Sequence, residues 1–573
     1  MNRRSFLEYV SLSGVGLAAS PLNSLDTTEK VIFYTASDHV VYHADVIIAG
    51  GGLGGISAAL AALRNGHTVV MTEETDWIGG QLTAQGVPPD EHQWIEHHGS
   101  TALYREFRNR IRDYYKRNYP LTALAKQVEF LNPGNGGVSR LCHEPKVALA
   151  VFNEMLAPYI SSGKLVLLVE HKPYKADTKG NRVQSISFKN IANNTYINTR
   201  GKYFIDATEL GDLLPLTGTE YTTGTESKNE FNEIHAPDVA DPENNQAFTV
   251  CFAMDYIHGE DHTIPKPKNY SYWSTLVPDL KPAWSGRLLS LSYSDPKTLV
   301  PKELGFHPQN GDTGGRYNLW TYRRLIDQQN FISGFYRGDI TIVNWPQNDY
   351  MFGNLIDVSE DEFDLHVTRA KELSLSLLYW LQTEAVRPDG GKGWKGLRLR
   401  KDIMGTEDGL AKYPYIRESR RIKALFTITE EHVGKENRKL TAKAGEDIEL
   451  ATPFFDTVGC GYYHIDLHPS NRGVNYIDFD SLRFQIPLGA LLPVRMENIF
   501  PANKNIGTTH ITNGCYRLHP VEWSIGEAVG MMIAFALREQ ISPRQIRSDR
   551  DKLYNFQQFL IEQGIDIEWP KNC

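Results

Sequence analysis

Cysteine is scarce and scattered. The five in this 573-residue chain, Cys142, Cys251, Cys460, Cys515 and Cys573, never share a C-x-x-C spacing. An iron–sulfur cluster or zinc site therefore has no local scaffold, no metal is expected, and an odd, sparse set is not a disulfide framework. Basic runs are missing as well. With a formal net charge of −9, the chain offers no electrostatic footprint for nucleic acid. In the first twenty residues no window approaches the roughly 20 apolar residues that cross a bilayer, and no membrane span is expected. Nothing repeats at a solenoid or propeller period. What remains is a globular composition, 41% hydrophobic and 23% charged, in a chain too long for one simple core. Two or more domains are expected.

The first twenty residues, "MNRRSFLEYVSLSGVGLAAS", differ from the rest. Arg3 and Arg4 precede Phe6-Leu7 and a mildly apolar stretch, with Glu8 where a basic residue is commoner. The pattern is similar to a twin-arginine export signal, R-R-x-F-L, and predicts a periplasmic or otherwise exported protein. That route carries folded proteins, which suits a chain that closes around a cofactor made in the cytoplasm.

Glycine is concentrated in "ADVIIAGGGLGGISAALAALRNGHTVVMTEE", residues 44–74. The run "DVIIAG" reads as a buried parallel strand, the alanines and leucines after it as a helix stopping at Asn65-Gly66, and "HTVVMTE" as a second strand. This strand–glycine–helix–strand order is what makes G-x-G-x-x-G informative. Gly50 permits a tight turn, Gly52 lets the backbone approach a pyrophosphate, and Gly55 lets the helix pack on the strand. The helix N-terminus turns free N–H groups and a partial positive charge toward the phosphates. Glu73, at the end of the second strand, is placed to accept hydrogen bonds from both ribose hydroxyls. Glu74 is expected on the opposite face. Only one such motif occurs, because "GNGGVS" and "GDTGGR" lack the preceding strand and read as turns. A single dinucleotide site is therefore expected, with no second one for a separate nicotinamide.

Further signals extend the pattern. Gly79-Gly80 in "ETDWIGGQLTA" allow a second close backbone approach. "KYFIDATELGDLL" is a strand ending in small and acidic residues, after a strand-rich stretch with turns at Gly180 and Asn193-Asn194. Near the C-terminus, Glu497–Leu537 reads as a strand, a loop and a helix that carries Gly526 and Gly530 four apart. On these segments, and on "GGQLTAQGVPPDE", "LCHEP", "NWPQNDY", "PYIRESRRI" and "YHIDLHP", the chain resembles the FAD-dependent oxidoreductase family with a single two-dinucleotide-type fold. The likeness runs from about residue 44 to 537.

The resemblance implies FAD and an α/β, Rossmann-like FAD-binding domain. That domain is discontinuous, 40–215 and 486–540, around an inserted mixed α+β substrate domain, 216–485, with a tail helix in 541–573. Asp206 and Ala207, in the family's D-A-T-G motif, and Gly526, in its C-terminal helix, are implied to complete the flavin pocket. Two departures stand out. Glu209 replaces the motif's glycine, and Asn503 and Asn505 sit where a glycine or an acid is usual.

FAD carries the hydride chemistry, so the protein has to place the substrate, take a proton and stabilise the reduced ring. The C-terminal helix, starting near Pro520, is suited to the last task, with Arg517 as a fixed charge or a structural ion pair. A base that titrates near neutral pH points to histidine. His464, Asp466 and His468 alternate along a short strand and share a face, which permits a histidine base oriented by a carboxylate; a metal-like cluster is the alternative. His510 is a second candidate base. Arg417, Arg420 and Arg421 around Glu418 read either as a buried clamp or as a solvated ion-paired face. "CHEP" puts Glu144 where it would cap a helix. In the inserted region, strand-like runs with aromatics such as "SYWSTL", "YNLWTYRR" and "NWPQNDYMF" suit sugar rings or an ordinary core, and Val367–Glu384 has the spacing of a core helix. The function expected is an exported FAD-dependent oxidoreductase that moves hydride from a polar organic substrate, a carbohydrate or polyol alcohol carbon, to flavin N5. The alternative is an electron-carrying flavoprotein that serves a partner protein.

Overall fold

The computed structural model describes residues 30–36, 39–443, 445–570 and 573; the export-signal expectation at residues 1–20 lies outside them. A mixed eight-stranded sheet forms the centre. Its strands are β1 (Ile32–Ala36), β2 (His39–Ala49), β3 (Val69–Glu73), β4 (Leu165–Val169), β5 (His171–Lys179), β6 (Arg182–Asn190), β7 (Tyr196–Asp206) and, far along the chain, Ile499–Pro501. The order is β4-β3-β2-β7-β6-β5, with β1 antiparallel on β2 and Ile499–Pro501 parallel to β7. β4, β3, β2 and β7 are parallel, and β7, β6 and β5 are antiparallel neighbours. This is the Rossmann-like α/β fold.

The side-chain period of two decides the layers. Val46 and Ile48 enter the main core, whereas Ile47 and Ala49 enter a smaller cluster on the other face with Val70, Phe188 and Phe204. Helix α1 (Leu53–Arg64) covers the first face and packs against the helix His519–Glu539. A Cβ built at Gly526 would lie 2.1 Å from the Gly54 carbonyl oxygen, and one at Gly530 2.4 Å from that of Ala58, so the pair approaches closely only because both positions are bare. Among the described residues His519–Glu539 is the one helix long and apolar enough to cross a membrane, and it is buried inside the protein instead.

Register brings Ala49, Glu73, Asp206 and Pro501 to one edge, the carboxyl ends of the parallel strands, where α/β sheets open a crevice. Beyond this sheet, an antiparallel sheet runs Arg324–Ile326, Ile340–Val343, Phe252–Tyr256, Leu397–Leu399, with the helix Glu360–Thr383 near it. Most of the strand-like aromatic runs are short helices and turns instead, Tyr270–Trp273, Leu319–Tyr322 and Pro346–Asn348, while Asp349–Tyr350 of the last run does form a strand against Phe248–Thr249. Local capping overrides aromatic β preference in the helical turns, as where the Asn318 side chain accepts from the Trp320 N–H. Glu144 departs from expectation too. It precedes the helix Pro145–Ser161 but does not cap it, because its carboxylate accepts from Tyr115 and Tyr119. The chain ends in two helices, Pro543–Ser548 and Arg550–Glu562, capped by Ser542 and Asp549.

Candidate active site

A narrow cleft opens at the carboxyl edge, lined by Gly50, Gly52, Glu73, Gly80, Ala207 and Glu209 among others. Gly50 has φ +98° and a Cβ there would strike Ala207 O at 2.2 Å, so the turn admits no side chain. At Gly55 a Cβ would lie 2.0 Å from Gly50 O, which closes the turn on the helix. Gly79 and Gly80 both have positive φ, and Gly80 lies against Gly52, so the second glycine pair does meet the first. Gly52 is different: a Cβ there would meet the carboxylate tips of Glu522 and Glu209 at 3.3 and 3.4 Å, with the nearest backbone atom, Ala207 O, at 3.9 Å.

Carboxylates therefore stand at the N-terminus of α1. Glu522 Oε1 accepts the Gly54 N–H at 3.1 Å and its other oxygen accepts from Gln81. Glu209 pairs with the buried Lys504 at 2.5 Å. Burial pushes the Glu522 carboxyl up to about 7, against the pull of Lys504 and with a further push from Glu209. Glu73 closes the other side of the turn, accepting Gly51 N–H at 2.9 Å and both the N–H and hydroxyl of Thr75; burial raises it to about 7. Glu74 lines the same cleft rather than facing away, held 3.2 Å from Lys172. The reason is that β3 ends at Glu73, so strand alternation no longer applies to the next residue.

A second, larger cavity of about 1090 Å³ lies beside the start of the C-terminal helix. His464, Asp466 and His468 all line it, projected by the strand Ile465–Leu467. His468 Nδ1 is 2.6 Å from Asp349 Oδ2, and Asp349 is held by Arg417 at 2.8 Å and by Thr249. Burial alone would raise the Asp349 carboxyl, but Arg417 and His468 hold it below its ordinary range. An ionised Asp349 only accepts, so Nδ1 carries a proton. Asp466 lies 3.5 Å from Nε2 of the same ring and is tied to Arg517 at 3.0 Å. Despite burial, His468 and Arg517 bring Asp466 well below the usual carboxylate range, leaving it a weak base and a good charge partner.

A family model described as FAD dependent oxidoreductase matches residues 45–560. The chain belongs to the FAD dependent oxidoreductase family. FAD is its cofactor. Sarcosine oxidase subunit alpha of Corynebacterium sp. (strain U-96) is 33% identical over 138 residues, covering 22% of this chain and 13% of that one, so the match takes in a small part of that relative's length. Among solved structures, p-nitrophenol 4-monooxygenase PnpA from Pseudomonas putida DLL-E4 is 11% identical over 92% of this chain and 87% of that one, TM-score 0.35. A mutant of the E. coli quinol fumarate reductase FrdA is 10% identical over 91% and 74%, TM-score 0.30.

The residues of this FAD-dependent oxidoreductase fit a dinucleotide. Bare peptide at Gly52 and the first turn of α1 suit the pyrophosphate. Between cleft and cavity, buried polar atoms lack partners: both amide atoms of Gln85, Gln81 Oε1, His519 Nε2, Asn513 Oδ1 and Arg517 Nε. A heteroatom-edged ring supplies partners of that kind. Asp206 is fully buried and consumed by its own turn, accepting from Thr208 and Leu213, so it shapes the cleft through Ala207 rather than facing it. Asn503 and Asn505 likewise donate to the β7 end, at Ala207 O, Thr208 O and Asp206 O. Gly526 acts by letting the C-terminal helix lie on α1.

The two histidine candidates are separated by the fold. His510 sits 2.7 Å from Glu418 in a buried network with Arg421 and Glu226, and it is not among the residues that line the cavity. The "PYIRESRRI" arginines are buried, not a solvated face, because each meets a carboxylate: Asp349, Asp212 or Glu418. Spacing does not single out Asp349, Asp90 or Arg323. Asp349 and Asp90 lie inside quoted motifs, "NWPQNDY" and "GVPPDE", which is the signal the sequence offers for them.

Proposed function

We propose that this FAD-dependent oxidoreductase is exported and oxidises an alcohol carbon of a polar organic substrate, a carbohydrate or polyol, with an acceptor other than NAD(P). We further propose a flavin-binding unit in two pieces, 40–215 and 486–540, around a substrate-binding insertion, 216–485. The observation that carries the reading is His468, its Nδ1 fixed by Asp349 and its Nε2 3.5 Å from Asp466, on the wall of an aromatic-lined cavity beside Arg517.

When bound, FAD supplies the hydride acceptor, N5 of its ring. The chain's own part is binding and proton handling. Tyr322, Tyr463, Tyr476 and Trp345 offer flat faces to a sugar ring. His468 Nε2 takes the hydroxyl proton, and the positive ring that results lies between Asp349 and Asp466. Arg417 and Arg517 keep those two carboxylates ionised.

Anaerobic addition of polyols and sugars to the purified yellow protein tests this. Bleaching of the flavin band by at least one of them, with NADH and NADPH inert, supports the reading; bleaching by NAD(P)H alone, or only by a partner protein, defeats it. N-terminal sequencing of the periplasmic fraction tests export, and a protein confined to the cytoplasm contradicts it.

A further inference from the structure

The wall of the His468 cavity is short of acceptors. Apart from Arg517 Nε, which faces the flavin layer, five of its side chains carry a buried donor without a partner: Arg323 Nε, Asn344 Nδ2, Trp345 Nε1, Arg417 Nε and Tyr476 OH. On the same wall, among the described residues, one acceptor-only atom lacks a hydrogen bond, Asp90 Oδ1, and it still lies 3.2 Å from Arg323 as an ion pair. Buried polar groups are almost always partnered, so whatever fills this cavity is called on chiefly to accept. A carboxylate brings about four lone-pair sites and no donor.

The arginines are not equivalent. The terminal nitrogens of Arg417 are taken by Asp349, Asn344, Thr249 and Ala247 O, and those of Arg517 by Asp466 and Tyr415. Among the described residues the Arg323 guanidinium has one carboxylate partner, Asp90, at 3.2 Å to one oxygen and 3.4 Å to the other. Charge-assisted pairs close to about 2.7–2.9 Å, so this buried guanidinium is loosely held. Its plane lies over the Tyr322 ring, 4.9 Å from the centroid, which keeps it at the cavity wall. The inner charges are balanced. Arg323, Arg417 and Arg517 face Asp90, Asp349 and Asp466 one for one, while at the rim Lys302 is paired with Asp295 and Asp478 with His464.

Resting on the reading that this cavity takes the substrate, we infer that the substrate carries a carboxylate anchored by Arg323: a sugar acid, not a neutral sugar or polyol. Asp90 holds the guanidinium in place until the ligand's carboxylate takes its free edge, and the aromatic walls carry the hydroxylated body.

The test uses the FAD-loaded protein under anaerobic conditions, titrated with matched pairs: D-glucuronate against D-glucose, D-galacturonate against D-galactose, D-gluconate against D-sorbitol. Binding is read by calorimetry and by the flavin difference spectrum, with no need for turnover. At least one acid is expected to bind roughly 10- to 100-fold more tightly than its neutral partner, the range of a hydrogen-bonded charge pair. Arg323→Gln, with FAD occupancy retained, is expected to erase that preference and leave the neutral partner's affinity unchanged. Should Arg323→Gln lose FAD, Asp90→Asn serves instead: with the competing carboxylate removed, acid binding tightens while neutral binding does not. The inference is overturned if neutral partners bind as tightly as acids, if no acid binds, or if the preference survives Arg323→Gln or is unmoved by Asp90→Asn. An acid that binds tightly but never bleaches the flavin defeats the oxidation reading and leaves the anchor intact.

Discussion

A single missing side chain and a single surplus carboxylate decide how the cleft treats a pyrophosphate. Gly52→Val fills the space beside the Glu522 and Glu209 carboxylate tips, so flavin retention, read as the ratio of flavin to protein absorbance after purification, is expected to fall about tenfold or more; full occupancy would contradict the placement. Glu73→Ala removes the carboxylate that orders Gly51 and is expected to weaken retention less. Glu522 sets a pH dependence. Its carboxyl, raised to about 7, is faced by Lys504, Glu209, Gln81 and the Gly54 N–H. Charged above pH 7, it competes with phosphate for that N–H. FAD affinity is therefore expected to be flat below about pH 7 and to weaken by up to about tenfold per unit above it. Glu522→Gln is expected to remove the slope in a fluorescence-quenching titration. His468→Asn, which keeps a hydrogen bond to Asp349 but loses the base, is expected to slow substrate-driven flavin reduction by roughly 10²- to 10⁴-fold in stopped flow, with FAD affinity unchanged. The glycines and Glu73 were legible because the motif is local. Asp349 was not, since the contact that gives it meaning joins residues 119 apart in sequence.

Helices and strands carry the site by their spacing. The alternation of His464, Asp466 and His468 was readable and does put all three on one wall. The glycine pair Gly526 and Gly530 was readable as a close approach, and its partner is α1. Because a methyl at Gly526 meets Gly54 O at 2.1 Å with no flexible end to yield, Gly526→Ala is expected to cost about 1–3 kcal/mol. Gly180→Ala, where nothing lies within 4 Å and only the left-handed φ of +60° resists, is expected to cost about 1–2 kcal/mol. Thermal melts compare the two, and a separate flavin-release assay distinguishes them, since only Gly526→Ala displaces the first turn of α1. What remained hidden at this scale was whether aromatic runs become strands. Leu319–Tyr322 and Tyr270–Trp273 became helical turns, because capping and burial of one face outweigh a β preference that is weak without a neighbouring strand.

The whole molecule keeps several carboxyls out of water, and this fixes its response to pH. Burial raises Asp206 to about 7, Glu233 to about 8 and Glu527 to about 7. In the unfolded chain each titrates near its ordinary value, so between about pH 4 and 8 the folded state holds the extra protons. Their contribution to stability is full below about pH 4 and is lost as pH rises to 7–8, on the order of 3 kcal/mol per group. Asp349 and Asp466 act in the opposite sense. Held below their ordinary range, they contribute above about pH 4 and that contribution is lost as pH falls through their folded values. Stability is expected to peak in mildly acidic solution, which a series of thermal melts from acid to mildly alkaline pH checks; a monotonic rise into the alkaline range would contradict it. At this scale the discontinuous sheet was visible as two strand signals far apart, but their adjacency, Pro501 beside Asp206, exists only in the fold. The most direct measurement is a structure of the FAD-loaded protein. The phosphates are predicted against the N–H groups of Gly52 to Gly54, with the ring in the Gln81–Gln85 layer and one face open to His468. Phosphates bound elsewhere, or a ring walled off from the His468 cavity, would contradict the account.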